Sequence, residues 1–251
     1  TEPVEVQLNS RTILKPKPLV EIAGKPIIWH IMKFYAHYGY NDFIICCGYK
    51  GHLIKEYFSN YFINNKVLKI DLEKNIIEKE DKHQEPWKIT LVDTGLDVAT
   101  GGRLKKIYQY VKNEKYVALT YGDGLSNVNL HELEKFHIKM NKLATVTAVR
   151  PAPRFGYLNI DKKNIVQNFE EKKDSNESFI NGGFFIVNPR CFEGIESDNT
   201  PWERNPMENL AKNGQLAAFV HKDFWMPMDT LRDKNLLENL WKMNKAKWKV
   251  W

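Results

Sequence analysis

The stretch Tyr116-Val-Ala-Leu-Thr-Tyr-Gly-Asp-Gly124 decides the fold. Its mostly apolar part, Val117 to Thr120, is typical of a buried strand, and a turn follows at once. Glycines on both sides of Asp123 allow a sharp turn and the close approach of a ligand. In an α/β sheet, a carboxylate at the carboxyl end of a central strand lies where ligands bind. Asp123 is therefore either a ligand of a hard divalent cation or a solvated turn residue.

Strands and helices alternate around this stretch. Apolar residues three or four apart predict helices, whereas continuous or alternating apolar runs predict strands. We expect helices at residues 27–38, 53–62, 103–111 and 130–140. We expect strands at residues 42–47, 87–93, 117–120 and 144–149. This alternation predicts an α/β fold with a parallel or mixed sheet.

The pattern changes after Pro151, where short elements follow one another. We expect strands at 157–160, 165–169 and 183–187, and helices at 210–212 and 231–243. Residues 63–85 are rich in charge and are an insertion or a lid. The tail Lys242–Trp251 mixes lysine with tryptophan, so it either packs its indoles on the domain or contacts another subunit.

Composition and charge narrow the class of protein. The formal net charge is +6, but the lysines are spread along the chain, which favours attraction of phosphorylated small molecules over nucleic acid. The longest apolar runs fall well short of the roughly 18–20 residues of a membrane span. Three cysteines without a CxxC pair argue against a disulfide framework and structural zinc. We therefore expect a cytoplasmic protein with no nucleic-acid or membrane partner.

Two segments combine positive charge with a special backbone. The prolines of Lys15-Pro-Lys-Pro18 keep the chain extended, so both lysines point the same way, towards phosphates or into solvent. Thr94-Gly-Leu-Asp-Val-Ala-Thr-Gly-Gly-Arg103 follows a predicted strand and opens a helix, whose amino end attracts anions. Arg103 adds a fork of donors suited to phosphate or a base edge. The alternative for this second segment is a plain glycine turn.

Further polar groups follow in the second half of the chain. Asp229 ends an aromatic run before a helix, so it either pairs with Asp123 around one Mg²⁺ or caps that helix. Asn181-Gly-Gly-Phe-Phe185 and Phe169-Glu-Glu-Lys172 supply amide, carboxylate and ammonium groups. These groups suit sugar hydroxyls and a phosphate.

Taken together, these segments resemble the bacterial glucose-1-phosphate cytidylyltransferases, members of the sugar-phosphate nucleotidyltransferase family. The resemblance covers residues 12–251 with almost no gaps. The segments that carry it most clearly are Lys15-Pro-Lys-Pro18, Asp42-Phe-Ile-Ile-Cys-Cys-Gly-Tyr-Lys-Gly51, Thr100-Gly-Gly-Arg-Leu104, Thr120-Tyr-Gly-Asp-Gly124, Asn181-Gly-Gly-Phe-Phe185 and Pro227-Met-Asp-Thr-Leu-Arg-Asp-Lys234.

The resemblance implies a Rossmann-like mixed sheet of the glycosyltransferase-A type with a small C-terminal extension. It implies one domain, in which residues 1–150 bind the nucleotide and residues 151–251 form the sugar-binding half and tail. The implied reaction joins CTP and glucose 1-phosphate into CDP-glucose and pyrophosphate with Mg²⁺, for deoxysugars of surface polysaccharide. A homo-oligomer is expected.

The resemblance also implies roles for individual residues. Asp123 and Asp229 would hold Mg²⁺, and Lys17 would offset charge on the attacked phosphate. Lys172 would hold the sugar phosphate, with Glu171 and Asn181 on sugar hydroxyls. Further contacts to the nucleotide would come from Thr100, Gly102, Arg103 and Gly122, with Arg103 also catalytic.

The opening segment departs from the family pattern. The family begins with a strand and a glycine-rich loop that ends in Gly-Thr-Arg and wraps the triphosphate. Here Gln7 falls at the place of the arginine, and Glu5 brings negative charge to the triphosphate site. Two interpretations remain open: the chain has lost its genuine start, or it is a homologue with impaired catalysis. The alternative function is accordingly a non-catalytic protein that binds sugar phosphate or nucleotide.

Overall fold

A computed structural model describes the parts of the chain that carry most of the predicted elements. The described residues are 15–61, 63, 67–80, 85–151, 157–162, 164–170 and 178–251. Their helices are α1 (Ile27–His37), α2 (Gly51–Ser59), α3 (Thr100–Val111), α4 (Leu130–Met140), α5 (Asn205–Lys212) and α6 (Leu231–Lys242). Along this part of the chain, no helix combines the length and the apolar character needed to cross a membrane.

The strands are mostly short. In chain order they are β1 (Glu21–Ile22), β2 (Lys25–Pro26), β3 (Asp42–Cys47), β4 (Val67–Asp71), β5 (Ile76–Glu80), β6 (Lys88–Asp93), β7 (Val117–Thr120), β8 (Gly124–Ser126), β9 (Ala144–Val149), β10 (Tyr157–Ile160), β11 (Val166–Glu170), β12 (Ile180–Val187), β13 (Leu216–Val220) and β14 (Trp225–Pro227). The predicted bounds are those of helix α4 and of strands β3, β7, β9 and β10. Helix α3 begins three residues earlier than predicted, and so does β12. Seven strands were not predicted: β1, β2, β4, β5, β8, β13 and β14.

The largest sheet is mixed, as predicted. Its order is β13-β9-β12-β7, with β13 parallel to β9 and the other neighbours antiparallel. Strands β3 and β6 pair in parallel, and helix α2 lies between them in sequence, which is a strand–helix–strand crossover.

The main hydrophobic core lies between helix α1 and the mixed sheet. Ile31 and Phe34 of α1 pack there with Leu125 of β8 and Phe184 of β12. Trp248 of the tail is fully buried in the same cluster. The prediction that the tail packs an indole on the domain is thus confirmed for Trp248.

Part of the charged segment 63–85 forms an antiparallel hairpin. Strands β4 and β5 pair with each other, with Ile70 opposite Ile77. The hairpin exposes apolar side chains, and Leu72 at its tip is 88% exposed. A role of this segment as a lid stays a prediction.

Candidate active site

A short two-stranded ladder brings Asp123 and Asp229 to one place. Strand β8 pairs antiparallel with β14 so that Gly124 lies opposite Pro227. Beyond this pair, the Met228 N–H donates to the carbonyl of Asp123 at 2.8 Å. Because the two strands run in opposite directions, Asp123 precedes one strand and Asp229 follows the other at the same end of the ladder.

Lys17 lies between the two carboxylates. Its ammonium group is 3.4 Å from Oδ2 of Asp123 and 3.0 Å from Oδ1 of Asp229. The lysine begins a 3-10 turn, Lys17–Leu19, which the buried side chain of Leu19 anchors to the domain. Because they share one ammonium group, the two carboxylates lie close together, as expected from the sequence. Both carboxylates are partly exposed.

The charges of Asp123, Asp229 and Lys17 favour the binding of a positive ion next to the carboxylates. Burial raises the pKa of Asp123; Lys17 opposes this shift and the charge of Asp229 adds to it. Burial by itself would lower the pKa of Lys17, but the hydrogen bond to Asp229 and the charges of both carboxylates outweigh it, so this pKa is raised. Two facing carboxylates that need positive charge are a donor set that fits Mg²⁺. Among the described residues, no group of three or more histidine, cysteine or acidic side chains could hold a metal.

A cavity of about 240 Å³ adjoins the carboxylates. Asp123 and Asp229 line it together with Asn181, Tyr121 and Trp225. The Trp225 indole N–H donates to the carbonyl of Gly182 at 2.7 Å, which fixes its wall. The cavity therefore presents two carboxylates, which Lys17 bridges, beside an amide and aromatic surface.

A bulge in β12 presents Asn181 to the cavity. Asn181 pairs with Ala148 of β9, and the register then shifts before Phe185. Gly183 in the bulge has φ +76°, and a Cβ there would lie 2.6 Å from the ring of Tyr121. Glycine is therefore required at this position both for the backbone and for the close approach of the tyrosine.

Hydrogen bonds connect Asn181 to the start of helix α3. The Asn181 amide donates to the Tyr121 hydroxyl at 3.0 Å, and Tyr121 donates to Oε1 of Glu203 at 2.6 Å. Thr100 donates to Oε2 of the same carboxylate at 2.7 Å. Burial, followed by the contact with Glu203, raises the pKa of Tyr121, so this hydroxyl stays protonated and acts as a donor.

Comparison with known proteins decides the family. The family model for nucleotidyl transferases matches residues 7–239. The chain belongs to the nucleotidyl transferase family. The family resemblance inferred from the sequence motifs is thereby confirmed.

Relatives of this nucleotidyl transferase match it along nearly its whole length. It is 50% identical over 245 residues to glucose-1-phosphate cytidylyltransferase of Salmonella typhimurium, which is 98% of this chain and 95% of that protein. The glucose-1-phosphate cytidylyltransferase of Salmonella typhi matches with the same identity and coverage. The crystal structure of HddC from Yersinia pseudotuberculosis has a TM-score of 0.65 at 20% identity, and the match covers 90% of both chains. That likeness concerns the fold alone, and it confirms the predicted fold class.

In this nucleotidyl transferase, the Arg103 side chain binds the loop between β6 and α3. Its guanidinium donates to the hydroxyl of Thr94 at 2.5 Å and to the carbonyls of Gly95 at 3.1 Å and Leu96 at 3.3 Å. It also lies against Gly48, where a Cβ would approach within 2.3 Å. These contacts fix the loop between β6 and α3. The predicted contact with a nucleotide would have to use the remaining donors of Arg103.

Thr100 and Gly102 contact the loop of residues 198–203. The Thr100 hydroxyl donates to Glu203 and accepts from the Trp202 N–H at 2.8 Å. A Cβ at Gly102 would lie 2.3 Å from the carbonyl oxygen of Asp198, and the Gly102 N–H already donates to Thr200. The assignment of Thr100 and Gly102 to the nucleotide stays a prediction. Any contact that Gly102 makes with a nucleotide has to leave its packing on Asp198 and its N–H bond to Thr200 in place.

Of the remaining predicted site residues, some are described by the structure and some are not. Gly122 is exposed in the turn after β7, where a Cβ would lie 3.2 Å from Pro18. Glu171 and Lys172 lie outside the described residues, as does Gln7 of the opening segment. Glu203 was not among the predicted site residues; in the sequence it is marked only by its place after Trp202.

Proposed function

We propose that this nucleotidyl transferase transfers the cytidylyl group of CTP to α-D-glucose 1-phosphate, giving CDP-glucose and pyrophosphate. The observation that carries the proposal is the Lys17-bridged pair of Asp123 and Asp229 beside a cavity that also presents Asn181. Two phosphorylated substrates would need both the charged group around Lys17 and the adjoining cavity. The choice of base and sugar rests on the 50% identity to glucose-1-phosphate cytidylyltransferase of Salmonella typhimurium.

In the proposed reaction, a phosphate oxygen of glucose 1-phosphate forms a bond to the α-phosphorus of CTP. The bond from the α-phosphorus to the bridging oxygen of pyrophosphate breaks in line, and pyrophosphate leaves with its electron pair. Catalysis of this kind depends on positioning two anions and on compensating their charge. Lys17 supplies a preorganised positive charge next to the carboxylates, where the attacked phosphate would lie.

The metal and sugar contacts are part of the same proposal. Asp123 and Asp229 would hold Mg²⁺, which when bound would offset the negative charge of phosphate oxygens. Asn181 would bind a sugar hydroxyl through its amide. Glu171 and Lys172 would complete the sugar-phosphate site, with the lysine on the phosphate.

We further propose one domain with two functional halves. The nucleotide would bind mainly to residues 1–150, and the sugar phosphate to residues 151–251. This division is supported by the cavity, since Asp123 reaches it from the first half and Asn181 and Asp229 from the second.

The cellular setting is proposed from the same resemblance and from surface features. CDP-glucose would feed deoxysugar synthesis for lipopolysaccharide O-antigen in the cytoplasm, with no nucleic-acid or membrane partner. Cys46, Cys47 and Cys191 are free, which is compatible with a reducing compartment. The exposed apolar residues of the β4–β5 hairpin, such as Leu72, support a homo-oligomer.

The decisive test incubates the purified chain with CTP, glucose 1-phosphate and Mg²⁺ and measures CDP-glucose and pyrophosphate together. Each of the other nucleoside triphosphates serves as a control for base choice, and Asp123→Asn serves as the inactive reference. Equimolar CDP-glucose and pyrophosphate are expected. Binding of either substrate without turnover would support the non-catalytic alternative, and faster turnover with another nucleotide would overturn the choice of base.

A further inference from the structure

Glu203 joins two elements that the sequence keeps far apart. Its Oε1 accepts a hydrogen bond from Tyr121 at the end of β7, and its Oε2 accepts one from Thr100 at the start of α3. One carboxylate thus receives two hydroxyl donors, one on each oxygen. The Tyr121 partner lies at the wall of the cavity, although Glu203 itself does not line it.

The backbone that carries Glu203 is fixed in place. Trp202 is only 1% exposed and packs edge-on against Phe185, with ring centroids 6.3 Å apart. Its backbone N–H donates to the Thr100 hydroxyl at 2.8 Å. A Cβ at Gly101 would lie 2.5 Å from the carbonyl of Thr200, so the loop lies directly on the first turn of α3. An exposed carboxylate therefore has a well-defined position.

The direction of each hydrogen bond matters for the cavity. The single hydroxyl proton of Tyr121 goes to Glu203, so the tyrosine oxygen faces Asn181 as an acceptor. The side-chain nitrogen of Asn181 must then point to Tyr121, while its Oδ1 accepts from the Gly183 N–H at 2.8 Å. This leaves the second amide proton of Asn181 for an acceptor in the cavity. Without Glu203, the Tyr121 proton is free to turn towards Asn181 and to oppose this orientation.

We propose that Glu203 is a positioning residue that acts through Tyr121 to fix the amide of Asn181 for a hydroxyl oxygen of the sugar 1-phosphate. The proposal rests on the proposed function, because the sugar phosphate occupies the cavity only if that assignment holds. Glu203 does not line the cavity, so its removal should weaken sugar-phosphate binding through Asn181 and spare the nucleotide.

The test compares Glu203→Ala and Glu203→Gln with a matched control. Glutamine keeps one oxygen that can accept from Tyr121, whereas alanine keeps none. The control is Glu134→Ala, because Glu134 also accepts from two hydroxyls, those of Tyr116 at 2.5 Å and Tyr40 at 3.0 Å. Glu134 belongs to α4, and its partner Tyr116 lies before β7, at the end opposite Tyr121.

For Glu203→Ala we expect the KM for glucose 1-phosphate to rise on the order of 10-fold, the loss of about one well-placed hydrogen bond. The KM for CTP should stay within about two-fold. Glu203→Gln should recover most of the loss, and Glu134→Ala should change neither KM. A rise of both KM values in Glu203→Ala, no rise at all, or equal losses in the alanine and glutamine variants would overturn the proposal.

A second readout does not depend on turnover. The side-chain amide of Asn181, assigned in nitrogen-15 NMR spectra by its disappearance in Asn181→Asp, should shift in Glu203→Ala and remain in place in Glu134→Ala. Unchanged Asn181 signals in Glu203→Ala would refute the positioning role even if the wild-type chain made no CDP-glucose. Absence of CDP-glucose with the expected NMR shift would instead refute the proposed function alone.

Discussion

The ammonium group of Lys17 lies 3.0 Å from Oδ1 of Asp229, although 212 positions of the sequence separate the two residues. The same ammonium reaches Asp123 at 3.4 Å, so a single cation links the first turn of the described chain with the end of the β8–β14 ladder where both carboxylates lie. An arrangement of this kind keeps two like charges together until ligands arrive.

Lys17→Ala should lower kcat on the order of 100-fold or more, because a preorganised charge next to the reacting phosphate is lost. Stability should change by less than about 1 kcal/mol, since the ion pairs of Lys17 are partly exposed. Steady-state kinetics and urea unfolding measure the two effects. Lys15→Ala, which removes only the exposed pair with Glu21, is the matched control and should leave kcat unchanged. Undiminished turnover in Lys17→Ala would remove this lysine from the mechanism.

Asp233 is expected to matter for both folding and metal affinity. Its buried Oδ2 accepts from the N–H groups of Asp229 and Thr230 and from the Thr230 hydroxyl, at 3.2, 3.0 and 2.9 Å. Asp233→Ala should cost about 1–3 kcal/mol of unfolding free energy and raise the Mg²⁺ concentration needed for half-maximal activity. Asn129→Ala, which removes the N-cap of α4, should cost stability without changing the Mg²⁺ dependence. Equal Mg²⁺ dependence in both variants would contradict a role of Asp233 in placing Asp229.

The regular elements of the fold followed from the sequence wherever hydrophobic periodicity spans a whole element. Helix α4 and strand β9 have the predicted bounds for this reason. Strands β8 and β14 have three residues each, too few to show alternation, and they are the ladder that brings Asp123 to Asp229. The sequence predicted that these carboxylates work together. Only the structure shows that the pairing of β8 with β14 brings them together.

The start of helix α3 shows why a local motif does not decide between backbone packing and ligand binding. Glycines before a helix suit the approach of a ligand and the approach of another backbone equally well. Gly102 meets Asp198, and Thr100 meets Glu203, both about a hundred positions away along the sequence, so no local pattern separates the two uses. The contact between Tyr121 and Glu203 joins residues 82 positions apart, so no local pattern predicted it either.

Gly102→Ala tests whether packing or ligand approach requires the glycine. The added methyl would meet the backbone of Asp198, which cannot move as a flexible side chain would, so we expect a loss of about 1–3 kcal/mol or more in urea unfolding. Gly194→Ala is the matched control, because a Cβ there meets nothing within 4 Å. A raised KM for CTP without any loss of stability in Gly102→Ala would instead favour the nucleotide role.

Replacing Glu5-Val6-Gln7 by Gly-Thr-Arg should tighten CTP binding about 10-fold or more. The change removes a negative charge, adds a guanidinium and allows the backbone N–H groups to approach phosphates. Calorimetric titration with CTP and Mg²⁺ measures the effect, and Glu2→Gln controls for the loss of charge alone. Equal affinity before and after the replacement would show that this segment does not contribute to the triphosphate site.

His30 should make stability depend on pH. The ring is fully buried; Nε2 contacts the carbonyl of Ile22 at 2.9 Å, and the Trp248 indole donates to Nδ1 at 3.4 Å. Burial lowers the pKa of His30 in the folded state below its ordinary value of 6.5, against weaker opposing effects of Ile22 and Glu238. The unfolded chain therefore takes up the proton first as the pH falls. The stabilising contribution is complete above about pH 6.5 and is lost as the pH drops from there towards the folded-state pKa.

Urea unfolding of the wild type between about pH 5 and 8 should consequently show a free energy that declines on the acid side. His30→Phe should flatten this decline, and the part that remains should come from groups such as His137, whose pKa burial also lowers. His52→Gln, at an exposed position of α2, should leave the pH dependence as it is. An identical acid slope in the wild type and His30→Phe would show that His30 does not stay neutral in the folded protein.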